Sequence, residues 1–172
     1  MTATDDAGQP AFLQDEFREV MAHVCTPVSV VTAVSGGLPH GTTVSAFASL
    51  SMNPPMVLVS LGRHSDLLAV VRATRCFGVN VLASEQSALA LNFARKGGTG
   101  KFAGVPWQSD GGVPRIPGAA GFLACRVSQL VEGGDHVVLL GEVLSARPTR
   151  ARPLTYHNRA FGTHLPHQVH AA

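Results

Sequence analysis

GTTVSAFASLSMNPPMVLVSL, residues 41–61, is the stretch whose reading decides the fold of this chain. Its first half, Gly41 to Ser51, is rich in small and hydroxyl side chains. Pro54-Pro55 then separates it from Met56-Val57-Leu58-Val59-Ser60-Leu61, whose continuous apolar character predicts a strand buried on both faces and ending at Gly62. Between Gly41 and Ser49 the lack of bulk lets a planar ligand approach backbone N–H groups able to bond its carbonyl and ring nitrogen atoms. A Ser/Thr-rich edge strand that satisfies its own backbone fits the same composition, and spacing alone does not choose between the two.

Upstream, Leu13, Phe17, Val20 and Val24 recur at helical spacing, and Pro27 closes that segment, which predicts an opening amphipathic helix. Val28 to Val34 is a β-branched run ended by Ser35-Gly36-Gly37, and an extended stretch resumes after Pro39, so the two pair as a hairpin. Downstream, Ser65 is placed to cap a short helix carrying Leu67, Leu68 and Val71. Phe77 to Leu82 reads as a strand of alternating character, and Ser84 precedes a second short helix over about Gln86 to Ala94. From Lys96 to Gly121 the chain is dense in Gly and Pro, which predicts a long loop able to cover a site. Phe122 to Glu132, the turn Gly133-Gly134-Asp135, and His136 to Arg147 give the strongest hairpin signal. Many strands, few helices and no parallel βαβ order point to a mainly β fold, a barrel or sandwich with peripheral helices.

The chain has 172 residues, 45% of them hydrophobic, which is enough for one core without metals or disulfides. The expected division is a polar, disordered arm over 1–10, one domain over 11–163 and a flexible tail over 164–172. The apolar runs fall far short of the roughly 20 residues that cross a bilayer. The polar, acidic start lacks the features of an export signal, so a cytoplasmic location is expected. Cys25, Cys76 and Cys125 are odd in number and form no Cys-x-x-Cys pair, which predicts reduced, buried thiols. A net charge of +2, dispersed along the chain, argues against a nucleic-acid surface.

Two motifs mislead. Gly97-Gly98-Thr99-Gly100-Lys101 imitates a phosphate loop, but Arg95 and Phe102 stand at the positions of its first Gly and final Ser/Thr, and it follows a helix; a flexible surface loop is the better reading. No Gly-x-Gly-x-x-Gly follows a strand, so any dinucleotide must bind without that fingerprint. His164, His167 and His170 lie among Pro and Gln in the expected tail, and no metal site is assigned to them. No Gly-x-Ser-x-Gly elbow frames a serine nucleophile.

The run from Gly41 to Val59 resembles the hallmark of the flavin reductase-like family, the small partners of two-component flavin monooxygenases. Further segments agree in order: Phe77-Gly78-Val79-Asn80-Val81-Leu82, Phe93-Ala94-Arg95-Lys96 with Lys101-Phe102, Gly134-Asp135-His136, Gly141-Glu142-Val143, and the closing run from Pro153 to Phe161. The resemblance spans about Phe17 to Gly162 and is nearest to reductases serving antibiotic polyketide oxygenases.

The resemblance implies a split β-barrel, a homodimer, and FMN, with FAD as the alternative, bound without a dinucleotide-binding domain. It places Thr43, Val44, Ser45 and Ala46 along the isoalloxazine, and Ser60, Leu61, His64 and Ser65 near the ribityl phosphate end. Phe93 and Arg95 complete that pocket. His136 belongs on the nicotinamide side as the residue that positions the hydride donor, NADH or NADPH, with Tyr156 and Arg159 beside it. The expected activity is hydride transfer from reduced nicotinamide to flavin, with the reduced flavin passing to a separate monooxygenase. Two other functions fit the same fold: a flavin-carrying module that reduces nothing, and a flavoenzyme acting directly on an organic substrate.

Overall fold

A computed structural model describes residues 9–166 of the chain. It opens with helix α1 (Gln9–Ala22), followed by strands β1 (Thr26–Pro27), β2 (Ser29–Ser35), β3 (Leu38–Val44), β4 (Phe47–Met52) and β5 (Pro55–Gly62). Helix α2 (Asp66–Thr74), β6 (Cys76–Val81) and helix α3 (Ser87–Ala94) follow. The long Gly- and Pro-rich segment holds only a 3₁₀ turn, Gly98–Phe102, and the small hairpin β7 (Gln108–Asp110) and β8 (Val113–Arg115). The chain ends in β9 (Gly121–Gly133), β10 (His136–Pro148), β11 (Leu154–His157) and β12 (Ala160–Thr163). Among the described residues no helix is long and apolar enough to cross a membrane.

The main sheet has the antiparallel order β3-β2-β6-β9-β10-β5-β4. Its two outermost strands, β3 and β4, are consecutive in sequence and joined only by Ser45 and Ala46. A connection that short forces the sheet to roll until its ends meet, because two residues reach only about 7 Å. The meeting is incomplete: the Ser60 N–H donates to the Ala46 carbonyl, which extends the β4–β5 ladder by one rung, and among the described residues β3 gains no strand partner on its outer edge. This is a split barrel, and the split lies at Thr42 to Ala46.

Two strands reverse the expected burial. In β5, Val57, Val59 and Leu61 are buried, whereas Met56, Leu58 and Ser60 on the other face are only half-buried. In β6, expected to alternate, Phe77 to Asn80 are all buried. The second face is covered by the β7–β8 hairpin, held there by a polar clamp in the core. Asn80 donates Nδ2 to the carbonyls of Val30 and Pro114, its Oδ1 accepts the Ile116 N–H at 2.7 Å, and Thr32 Oγ1 donates to the Pro114 carbonyl at 2.7 Å. The long segment is thus largely tied down, since each of these groups would cost about 1–3 kcal/mol if buried unpaired.

Three further expectations need correction. The α1 helix forms, but its apolar face does not enter the core: Leu13, Phe17 and Val20 are 62–65% exposed. Gly97 to Lys101 is no free loop, because Phe102 is buried beside Phe93 and Lys101 Nζ donates to the carbonyls of Gly41 and Phe93. All three thiols are free, but only Cys125 is buried and Cys25 is exposed; burial pushes the Cys125 thiol up to about 12. Most of the N-terminal arm and the C-terminal tail, with His167 and His170, lie outside the described residues; His164 is described and exposed. No cluster of three potential metal ligands occurs among the described residues.

Candidate functional site

Three clefts meet along the split. The middle one, about 230 Å³, is lined by Thr42 to Ala46 on one side and by Ser60, Leu61, Gly62, Ser65 and His136 on the other. A second, about 420 Å³, shares Thr42 and Ser65 with it and runs past Gly41 and His64 to Arg95, Lys96 and Lys101. The third, about 390 Å³, shares Thr43 and Ser45 and is walled by Leu91, Tyr156, Arg159 and Phe161.

The segment Thr42–Ala46 serves all three because side chains alternate along an extended backbone. Val44 is buried and anchors the strand, so it meets the middle cleft through its backbone. Thr43 Oγ1 donates to the Ala90 carbonyl at 2.7 Å, tying β3 to α3. Ser45 and Ala46 are exposed at the bend. Because β3 has no ladder partner on its outer edge, its outward backbone groups remain available to a ligand. Leu61, like Val44, is buried, and it borders the cleft through its backbone beside half-buried Ser60.

The second cleft is the cationic end. Arg95, Lys96 and Lys101 face a single carboxylate, Asp66, which suits an anionic group. Burial lowers the Lys101 pKa, and Asp66 opposes that shift. Ser65 stands at the N-cap of α2 with extended backbone, yet its side chain makes no capping bond, which corrects the expected cap and leaves Oγ free toward both clefts. His64 is exposed on the same rim, and Arg95 is exposed and bonded to Asn92 Oδ1. Phe93, expected in the pocket, lines none of the three clefts. It is fully buried against Phe102 and lies under Gly41, where a Cβ would stand 2.9 Å from its ring.

His136 opens β10 in register with Gly62 of β5. Its Nδ1 lies 2.7 Å from Asp135 Oδ1, and its Nε2 lies over Gly62, 4.0 Å from where a Cβ would be. The His136 hydrogen bond holds the Asp135 carboxyl below its usual range. An ionised carboxylate only accepts, so Nδ1 carries a proton and Nε2 is the nitrogen left for a ligand. The turn that presents this pair is pinned by a residue the sequence did not single out. Arg63 donates its N–H to the Asp135 carbonyl and Nη2 to the Gly134 carbonyl, and pairs with Glu132 at 2.6 Å. Tyr156 and Arg159 sit in the third cleft, Tyr156 packed edge-on against Phe161 and Arg159 bonded to Glu19 of α1 at 2.7 Å.

The predicted site residues other than Phe93 therefore converge on one continuous groove. The sequence assigned no role to Thr42, Arg63, Leu91, Phe161 and Glu19; Thr42 and Phe161 lie within quoted motifs, but Arg63, Leu91 and Glu19 carry no local signal and are brought in only by the fold. Lys101 had a signal, but it was embedded in an imitation phosphate loop.

Comparison with known proteins places this geometry. Residues 21–164 match the family described as flavin reductase like domain. The reductase component of 4-nitrophenol 4-monooxygenase/4-nitrocatechol 2-monooxygenase from Rhodococcus opacus is 39% identical over 153 residues, covering 89% of this chain and 82% of that protein. NADH:riboflavin 5'-phosphate oxidoreductase from Streptomyces pristinaespiralis is 36% identical, covering 96% of this chain and 97% of its own length. Among solved structures, NADH:FAD oxidoreductase from Streptomyces globisporus, in complex with NAD and FAD fragments, superposes with a TM-score of 0.84 at 30% identity, over 98% of this chain and 99% of that one.

Proposed function

This chain belongs to the flavin reductase-like family, and from that membership we propose that it is an NAD(P)H-dependent flavin reductase whose groove along the barrel split holds both reactants. The observation that carries the site assignment is the junction itself: an unpaired strand edge at Thr42–Ala46, a cationic cleft on one side, and His136 across from it. The residues fit a flavin. Backbone N–H groups along Thr43 to Ala46, where the Ser45 and Ala46 carbonyls already accept from Phe47 and Ser60, suit the polar edge of a planar ring, and the unused Ser65 hydroxyl, the amides opening α2, Arg95 and Lys101 suit a phosphate.

When bound, the flavin supplies a ring that accepts hydride from a reduced nicotinamide, chemistry that needs no protein nucleophile. The chain's task is to hold two planes in contact and in register. Backbone donors along Thr43 to Ala46 would bond the polar edge of a bound ring and would stabilise negative charge there. His136, its Nδ1 fixed by Asp135 and its turn fixed by Arg63, presents Nε2 to the nicotinamide side as a positioning group. A separate monooxygenase component receives the reduced flavin, as in the two-component systems to which the relatives belong.

The working form is a homodimer. Along α1, Leu13, Phe17 and Val20 lie open, as do Leu50 and Met52 elsewhere on the surface, with Met52 86% exposed. Burying each such side chain is worth about 1.5–3 kcal/mol, and the half-buried face of β5 lies next to β4. A second copy of the chain covers this surface.

The test is the oxidation of NADH and NADPH with FMN or FAD, followed by absorbance. The His136→Ala variant is expected to lose about tenfold or more in kcat/KM for the nicotinamide while its flavin Kd stays within about twofold. No turnover by the parent chain with any combination of dinucleotide and flavin would refute the activity. Unchanged nicotinamide kinetics in the variant would remove His136 from the site.

A further inference from the structure

We infer that Glu19 of α1 sets the choice between the two nicotinamide dinucleotides: by occupying Arg159 it keeps the Tyr156–Phe161 cleft neutral and selects the form without a 2′-phosphate. This rests on the flavin reductase reading and goes beyond it, to a residue outside the groove.

The argument starts from continuity. A nicotinamide beside His136 sits in the middle cleft, and the cationic cleft is the flavin's phosphate end. The rest of the dinucleotide then leaves through Thr43 and Ser45 into the third cleft. That cleft suits an aromatic ring: Tyr156 and Phe161 pack at 5.3 Å between centroids, with Leu91 open on the opposite wall.

Among the described residues lining it, Arg159 is the one cation. Arginine is the natural partner of a phosphate, which it binds through two parallel N–H donors. Here that guanidinium is already engaged, with Nη2 on Glu19 Oε2 at 2.7 Å. The engagement is built into the backbone. Asn158 and Arg159 form the β11–β12 turn with φ of 47° and 61°, and the Asn158 N–H donates to the Ala22 carbonyl at the end of α1. The Thr26–Tyr156 pairing of β1 with β11 fixes the same hairpin from its other side. Helix and hairpin therefore hold the carboxylate against the guanidinium before any ligand arrives.

A 2′-phosphate entering this cleft, with a charge of about −2, meets a cation already neutralised and a carboxylate behind it. A ribose hydroxyl meets neither cost. An exposed ion pair contributes little to folding, so removing the carboxylate should appear in ligand choice rather than in stability.

The experiment compares kcat/KM for NADPH and NADH in the parent, Glu19→Gln, Glu19→Asp and Asp15→Asn chains, with the same flavin. The ratio measured within one sample does not depend on how much of that sample is folded. The parent is expected to prefer NADH. Glu19→Gln should raise the NADPH:NADH ratio about tenfold, mainly through the KM for NADPH, and Glu19→Asp should restore the parent preference in whole or part. Asp15→Asn makes the same charge change in a neighbouring pair on the same helix, Asp15–Arg18 at 2.6 Å, and should leave the ratio within about twofold. A Glu19→Gln ratio within about twofold of the parent, a parent that uses NADPH as well as NADH, or an equal shift from Asp15→Asn would each overturn the inference. A parent that oxidises neither dinucleotide with any flavin instead defeats the underlying activity.

Discussion

Gly41→Ala tests how the groove's cationic end is built. Gly41 is buried, and a Cβ there would lie 2.9 and 3.0 Å from two atoms of the Phe93 ring and 3.2 Å from the Phe102 ring. Ordinary carbon contacts are about 3.5–4.0 Å, so the rings must retreat by roughly half an ångström or more. They have little room: Phe93 is fully buried, and Phe102 is wedged between Phe93 and Trp107. Overpacking of this kind costs about 1–3 kcal/mol, and for a domain of this size that lowers Tm by roughly 2–12 °C. The same shift disturbs the Gly41 carbonyl that holds Lys101, so FMN affinity should weaken more than that for riboflavin, which lacks the phosphate. Differential scanning calorimetry and fluorescence titration read the two effects. Gly100→Ala, where nothing lies within 4 Å of the added carbon, is the control and should stay within about 0.5 kcal/mol. A Gly41→Ala chain melting within about 1 °C of the parent would show that the Phe93–Phe102 stack yields freely, and the argument for Gly41 would fail.

Ser65→Ala removes a hydroxyl that caps nothing, so stability should hold within about 0.5 kcal/mol while FMN affinity falls by about three- to tenfold and riboflavin affinity does not; equal losses for both ligands would take Ser65 away from the phosphate. The lowered pKa of Asp135 means that its contribution to stability is full above its ordinary value of 3.8 and is lost as the pH falls through the lower folded value, so Asp135→Asn should flatten the acid limb of stability against pH; an unaltered acid limb would contradict the pairing with His136. Leu13→Glu with Phe17→Glu changes side chains that lie open in the single chain, so the fold should persist by circular dichroism while sedimentation shifts from dimer to monomer. A parent chain that sediments as a monomer throughout would end the dimer proposal.

Much of the fold was legible because it is written in local signals. The Gly133-Gly134-Asp135 turn between two extended segments predicted the β9–β10 hairpin, which pairs from Gly121 to Pro148. Ser35-Gly36-Gly37 did the same for β2 and β3, and helical spacing predicted α1. Burial was less legible, because a side chain's cover comes from elsewhere in the chain. β6 is enclosed on its second face by a hairpin that Asn80 holds from 34 residues away, whereas β5 leaves its second face only half-buried despite its apolar run.

By itself the sequence determined a strand-rich, mainly β fold, the small-residue segment at Thr43–Ala46 and the placing of His136 after a tight turn, since each depends on residues adjacent in the chain. It also carried the family resemblance, which residues 21–164 bear out. Only the tertiary structure decided that β3 and β4 are the two ends of one rolled sheet, so that Thr42–Ala46 lies at the split with an unpaired edge. It also moved Phe93 from the pocket to the packing beneath it, and brought Glu19 to Arg159 across 140 residues. The physical reason is the same in each case: hydrogen-bond register and side-chain alternation are local, but which edge stays open and which charge is already spoken for depend on where distant segments come to rest.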